Sequence, residues 1–472
     1  MRSRQSRSRF DRRSFLALLA IGTTGTLAGC LGDDDDTVET PTPNPTPTPT
    51  ETPTDVVDPE QLEARASTFV ELLIEDEFDD AYELVSDTFE AELPPEDLEA
   101  VWSQHIEPLG AFQGFTSVEY QGETPEGAPH VVAFASFDAG GVRFDIVFDD
   151  GEVYGFFLQP VGEWTPPAYI DDDAFTEEEV TLSAPGDCEL GATLTRPTAE
   201  EAPGIVLVHG SGDQDRDQTI GPNRTFKEIA QGLATQGIAV LRYDKRPYAC
   251  SIERTTATVD DIITDDAVTA IERLEDDDRI TDVYVAGHSL GGRLAPRIAA
   301  RGDVDGVVLL APSGEPVYEV LVRQNRHVFE LDGELSDEEE AALAEVEALA
   351  ERIRTLDIGD DEVLDIAGGR GRSFFETLRA VEHTEAIVEV DVPTLLIQGG
   401  RDYLVTTDDD LPIWEAALDD VSEAEIVVFD DLNHRFQAGT DPATPQEWFE
   451  PEHPVDERVV ETIAGFVLDS EV

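Results

Sequence analysis

The sequence predicts an α/β protein: a mostly parallel sheet carrying a helical insertion, preceded by a smaller α+β domain. Three observations carry that expectation. From Glu179 onward, short β-branched and apolar runs alternate with segments of helical periodicity, as a parallel sheet with crossover helices requires. At one junction, between the run Val283–Ala286 and a helical segment starting at Gly292, stands Gly287-His288-Ser289-Leu290-Gly291. Between Pro312 and Val390 the alternation breaks, and helix formers dominate.

At the N-terminus, Arg12-Arg13 precede a modest apolar run, Leu16 to Ile21, that continues through small residues to Leu27-Ala28-Gly29-Cys30. Paired arginines ahead of such a run match a twin-arginine export signal. The run is shorter than the roughly 20 residues that a spanning helix needs. Leu-Ala-Gly-Cys has the form of a lipobox, making residues 1–29 a lipoprotein signal peptide and Cys30 the lipidation site; the alternative is a plain cleaved signal with an incidental cysteine. Acylation contributes about 0.8 kcal/mol per buried methylene, so two chains tether a protein stably without spanning. The expected location is the outer face of the cell membrane, with the membrane as a partner through Cys30. Residues 30–57 hold an acidic run, Asp33 to Asp36, and Pro-Thr repeats from Pro41 to Pro53, which read as a stiff, extended stalk open to O-glycosylation.

Residues 58–163 form the smaller domain. Leu62, Ala66, Phe69, Val70, Leu73 and Ile74 share one helical face, and further helical stretches follow over Phe78–Phe89 and Leu98–Ile106. Four strands come next: Phe112–Tyr120, Val131–Phe137, Val142–Phe148 and Val153–Leu158. Helices followed by an antiparallel meander predict an α+β cone similar to the nuclear-transport-factor and cystatin-like folds. Trp102 and His105 are candidates to line a pocket in the cone, against core packing, which is the favoured reading.

Residues 164–472 form the larger domain, opening with antiparallel strands over Glu179–Ser183 and Glu189–Thr195. Its helices are expected at Phe226–Gln236, Asp261–Leu274, Leu290–Ala300, Ile413–Leu418 and Glu457–Val467. The insertion, about residues 313–390, includes a strongly helical stretch, Glu338 to Leu356, and is expected to cap Ser289, excluding water and shaping a pocket. Phe374, Phe375 and Leu378 are candidates for that pocket and equally for the core of the cap.

A G-x-S-x-G between a strand and a helix is the nucleophile elbow, in which small residues let the chain turn tightly and expose the serine hydroxyl. A serine becomes a useful nucleophile when a histidine removes its proton and a carboxylate fixes that histidine's tautomer. The expected chain order is Ser, then acid, then His. Asp402 follows the apolar run Pro393–Gly400, at the sheet edge where open α/β sheets place their sites, with Asp430 and Asp431 as fallbacks. His434 follows the next strand, Glu425 to Phe429. For the oxyanion hole, one N–H falls to Leu290, and the other to the loop after Gly204–Val208: Ser211 first, Gly212 next. His209 reads as a brace for that loop.

His209-Gly210-Ser211-Gly212 with Asp215-Arg216-Asp217 and Ile220-Gly221-Pro222-Asn223, the run Leu241 to Arg246, the elbow, and Gln398 to Val405 together resemble a group of secreted serine esterases. These are α/β-hydrolases related to dienelactone hydrolases and the prolyl-oligopeptidase-type fold, often with a small domain ahead of the hydrolase. The resemblance covers about residues 165 to 468. It implies Ser289 as nucleophile, Asp402 as acid and His434 as base, with the loop Asp213–Asn223 lining the site and Arg216 and Tyr243 to Arg246 buttressing it. Pro247-Tyr248-Ala249-Cys250 departs from the group's pattern, which bears on substrate preference.

The 472 residues carry 104 acidic against 31 basic side chains, a net charge of −73, with only two lysines, Lys227 and Lys245. Such charge self-repels in dilute buffer and is tolerated where counter-ions screen it. It reads as the composition of a halophile, a haloarchaeon above all, and leaves no basic footprint for nucleic acid. Cys188 and Cys250 are left as two free thiols or one disulfide, the thiols being the default. No cofactor or metal motif is present, and the sequon at Asn223 is discounted because it lies in the expected active-site loop. The expected function is a membrane-tethered extracellular serine hydrolase acting on small-molecule carboxylic esters. The alternatives are a prolyl-oligopeptidase-type peptidase, disfavoured because about 100 residues cannot make a propeller, and a non-catalytic surface binding lipoprotein.

Overall fold

The computed structural model describes residues 58–469 apart from short gaps at 96–97, 100–101, 104–105, 124–127, 139, 150, 163, 186–187, 332, 334, 365, 367 and 451–452. The export signal, Cys30, the stalk and His105 lie outside the described residues. The remainder falls into two compact units, one ending at Val161 and the other running on from Gly162.

In the first unit, helix Pro59–Ile74 starts where physical chemistry favours it, with Asp58 accepting from the Glu60 N–H and Pro59 at the first helical position. Its face of Leu62, Ala66, Phe69, Val70 and Leu73 is buried against an antiparallel meander of β1 (Phe112–Glu123), β2 (Pro129–Phe137), β3 (Gly140–Asp149) and β4 (Glu152–Val161). Along β3 the alternation expected of a half-buried strand puts Val142, Phe144, Ile146 and Phe148 inside. The single helix expected over Phe78–Phe89 is two, Phe78–Tyr82 and Asp87–Glu92. Between them Val85 bridges to Val153, and the Ser86 N–H donates to Val153 O, so strand pairing overrides local helical preference. Trp102 is core: it stacks on Phe144 with ring centroids 6.0 Å apart.

The second unit is built on strands β5 (Phe175–Ala184), β6 (Cys188–Pro197), β7 (Ala202–Val208), β10 (Ala239–Tyr243), β11 (Ile280–His288), β12 (Gly306–Leu310), β15 (Thr394–Gly399) and β16 (Ala424–Phe429). Two-residue hairpins β8–β9 (Thr219–Ile220, Asn223–Arg224) and β13–β14 (Val363–Leu364, Arg370–Gly371) lie outside the main sheet. That sheet has the order β16-β15-β12-β11-β7-β10-β6-β5; the β5–β6 and β6–β10 pairs are antiparallel and all the others, β10–β7 included, are parallel. All seven residues of β7 are buried, as a central strand covered on both faces requires. From β7 the order steps one way to β10 and the other way to β11. That reversal is the topological switch point, beyond whose carboxyl ends open sheets carry their sites.

The insertion comprises helices Val317–Phe329, Asp337–Thr355, Arg372–Arg379 and His383–Val390. A capping box of Ser336 and Glu339 starts the long one. The last helix packs against Leu290–Ala299 and Leu411–Leu418, and so belongs to the layer that covers the sheet. Phe374, Phe375 and Leu378 are buried in the continuous apolar core with Val259, Leu364 and Ile366, which makes them packing residues. The expected free thiols are corrected: Cys188 and Cys250 form a disulfide with Cα atoms 6.1 Å apart. Pairing of β6 with β10 brings them together, because Cys188 opens β6 while the chain leaving β10 runs through helix Arg246–Ala249 straight to Cys250.

Candidate active site

Strand β11 delivers the chain into a turn at Ser289, whose φ of 56° and ψ of −117° are strained for any residue with a Cβ. The turn is possible because of its glycines. A Cβ on Gly287 would lie 2.2 Å from Gly291 O, and one on Gly291 would lie 2.5 Å from His209 O. Ser289 is half-buried, and Leu290 opens the following helix, where a first-turn N–H has no intrahelical acceptor.

Asp402 and His434 meet across the ends of β15 and β16. His434 Nδ1 lies 2.6 Å from Asp402 Oδ2, both side chains being buried. Asp402 Oδ1 accepts from the Leu404 and Val405 N–H groups at 2.9 Å each, and Gln398 Nε2 donates to Oδ2 at 3.2 Å. Four donors around one carboxylate fix its direction. The fallback acids are elsewhere: Asp430 is exposed, and Asp431 pairs with Arg458 at 2.8 Å.

Residues that the sequence reading passed over hold this pair in place. His288 Nε2 reaches His434 O at 2.9 Å while Gln218 Nε2 reaches its Nδ1 at 3.0 Å. Those partners require a neutral ring protonated at Nε2, and burial pushes its pKa well below the usual histidine range. Arg435 is buried and donates to Gln218 O and Thr225 Oγ1 at 2.6 Å each; burial pulls its pKa down to about 10. Beside Asp402, Tyr403 stacks between His327 of the insertion, at 4.5 Å, and Trp448, at 6.2 Å.

The loop after β7 lies against the serine: a Cβ on Gly210 would be 3.0 Å from Ser289 Cβ. Among the described residues, no protein group accepts from the N–H of Ser211 or Gly212. His209 is buried, with Nε2 at 2.8 Å from Asp215 O and its ring against Phe226 and Tyr243; burial takes its pKa to about 3, so it stays neutral. Arg216 grips Asp244 through two nitrogens, at 2.8 and 3.1 Å, and also reaches Glu179. Lys245 Nζ donates to Gly210 O at 2.5 Å and Gly212 O at 2.8 Å. Asp213 receives Arg254 at 2.7 Å and Arg370 at 2.8 Å, which latches hairpin β13–β14 of the insertion onto the loop. The Asn223 amide donates to Trp448 O and Glu450 O, so its sequon nitrogen is engaged inside the fold. A polar depression of about 410 Å³, lined by Glu177, Asp217, Arg242, Arg216 and Asp244 among others, is filled with charges that pair with one another.

A serine on a strained strand-to-helix turn, with an acid and a histidine following in that chain order at the switch point of a doubly wound sheet, defines an α/β-hydrolase. Comparison with known proteins agrees. Residues 202–440 match the family model described as serine aminopeptidase, S33, and residues 66–156 match a family described as proteins of unknown function, DUF3887. Esterase EstD of Thermotoga maritima is 34% identical over 408 residues, covering 85% of this chain and 94% of that protein. Among solved structures, Est1E from Butyrivibrio proteoclasticus is 18% identical with a TM-score of 0.42, covering 62% of this chain and 98% of its own. The Pyrococcus furiosus esterase Pf2001 is 17% identical with a TM-score of 0.40, covering 66% of this chain and 96% of its own. The chain belongs to the serine aminopeptidase S33 family of α/β-hydrolases. The resemblance drawn from the motifs agrees with this at the level of the α/β-hydrolase fold, while the matching family model is that of S33.

Proposed function

We propose that this chain is a carboxylic ester hydrolase working through an acyl-enzyme on Ser289, tethered outside the cell by lipid on Cys30. The observation that carries the chemistry is the 2.6 Å contact of His434 Nδ1 with Asp402, which leaves Nε2 as the ring's free base. Ser289 Oγ attacks the ester carbonyl as His434 takes its proton, and the Leu290 N–H receives the oxyanion together with that of Ser211, Gly212 being the alternative to Ser211. The protonated His434 then hands its proton to the departing alcohol. Water, activated by the same base, releases the acid and restores the serine. The 34% identity to an esterase over most of both chains supports esters as the substrate class.

A peptidase reading has one observation in its favour, the aminopeptidase description of the matching family. Turnover of short and medium p-nitrophenyl esters against aminoacyl p-nitroanilides, in molar KCl, separates the two. We expect ester hydrolysis to dominate; efficient anilide cleavage with no ester cleavage would reverse the assignment. A folded, inactive wild type would favour the binding lipoprotein. The tether rests on Leu27-Ala28-Gly29-Cys30. Wild type is expected in the membrane fraction and Cys30→Ala outside it, and equal partitioning would remove lipidation from the account.

A further inference from the structure

Lys245 is one of two lysines in the chain, 2% exposed, and forms no ion pair among the described residues. Burying an ammonium is costly unless it is well satisfied. Here the satisfaction comes from the carbonyls of Gly210 and Gly212, the two residues that flank Ser211. In a trans peptide the C=O and the following N–H point in opposite directions. A cation on Gly210 O therefore turns the Ser211 N–H away from Lys245, within a peptide unit that lies against Ser289. The same cation polarises that peptide, and polarisation in a dry interior strengthens its N–H as a donor. The Gly212 N–H belongs to a different unit, whose carbonyl is that of Ser211 and lies outside the Lys245 contacts.

We propose that Lys245 is a positioning residue for the oxyanion hole, aiming and strengthening the Ser211 N–H, and that Ser211 rather than Gly212 is the second donor. The proposal rests on the acyl-enzyme reading above. Charged and titratable groups facing the lysine are Arg370 of β14, Asp213 of the loop and His209 at the end of β7. Its chain neighbours Asp244 and Arg246 are engaged with Arg216 and Asp266. Burial, helped by Arg370 and opposed by Asp213, pulls the lysine down to about 7 from an ordinary 10.5.

The test compares full-length wild type, Lys245→Met and Lys245→Arg in molar KCl, using a p-nitrophenyl ester and a trifluoromethyl ketone that forms a tetrahedral adduct on the serine. Removing a whole oxyanion donor costs about a hundred- to a thousandfold in kcat, so losing its polarising partner should cost about ten- to a hundredfold. KM should hold, ketone affinity should fall in step with kcat, and arginine should restore part of both. An active Lys245→Met that loses only thermal stability would overturn the proposal and leave the acyl-enzyme standing. A wild type that neither cleaves esters nor binds the ketone would remove both.

Should Lys245→Met fail to fold, a pH series on the other two proteins decides. Wild-type kcat and ketone affinity should fall together as pH rises through about 7, a fall absent from Lys245→Arg. The lysine's own share of stability runs the opposite way. Its folded pKa lies below its unfolded one, so that share grows from about 7 to 10.5. Identical alkaline limbs in the two proteins would overturn the assignment.

Discussion

Replacing Ser289 by alanine is expected to lower kcat on p-nitrophenyl esters by about 10⁵- to 10⁶-fold, the scale seen when a nucleophile is removed from a unit of this kind. The variant should fold. An alanine needs the same strained φ of 56° but no more space, and the turn is held by the Ser289 N–H on Leu310 O at 2.8 Å and the Arg293 N–H on Ser289 O at 3.1 Å. Neither contact uses the hydroxyl. Residual activity should come from the oxyanion loop and binding alone, so a burst of p-nitrophenol should vanish along with steady turnover. If kcat stayed within tenfold of wild type, Ser289 would not be the nucleophile and the acyl-enzyme would have to be abandoned.

Transfer from molar KCl to dilute buffer is expected to unfold the chain, read as loss of its helical circular-dichroism signal at room temperature. The Debye length grows from about 3 Å at 1 M to about 30 Å at 0.01 M, so charges that ignore one another in brine begin to repel across the whole molecule. With a net charge of −73, that repulsion opposes compaction everywhere at once. Against it stand individual pairs, such as buried Arg246 with Asp266 and buried Arg401 with the partly buried Glu447, which depend much less on ionic strength than exposed charges do. Typical domain stability is only about 5–15 kcal/mol, small beside such a summed effect. An unchanged spectrum after desalting would show that the acidic surface carries no salt requirement.

The places of Ser289, Asp402 and His434 could be read from sequence because each follows a strand of the main sheet, in the expected chain order. That Leu290 opens the helix after Ser289 followed from the same turn. Lys245 was expected only as one of a run buttressing the site, and His288 only as a letter of the elbow, since which carbonyl each one holds, Gly210 O and Gly212 O for the lysine and His434 O for the histidine, depends on the fold. The disulfide was illegible for a related reason, as it depends on β6 lying beside β10. Local periodicity also hid two backbone details. The expected helix over Asp261–Leu274 begins as a π-turn at Asp260–Thr264, and the expected helix over Phe78–Phe89 is cut by the Val85–Val153 bridge. The second arises from a contact far away in the chain.

Strand β5 ends the eight-stranded sheet, and an edge strand offers a row of backbone donors and acceptors on which another chain can add. Glu177, Glu178 and Glu179 stand consecutively along it. Each is met by its own arginine: Arg242 at 2.9 Å, Arg196 at 3.5 Å, and Arg216 in close contact. In brine, where long-range repulsion is screened away, total charge no longer keeps molecules from adding to one another's sheets. What guards this edge under those conditions is three short-range, hydrated carboxylates pinned in position, so resistance to aggregation in salt depends on where the acids sit more than on how many there are.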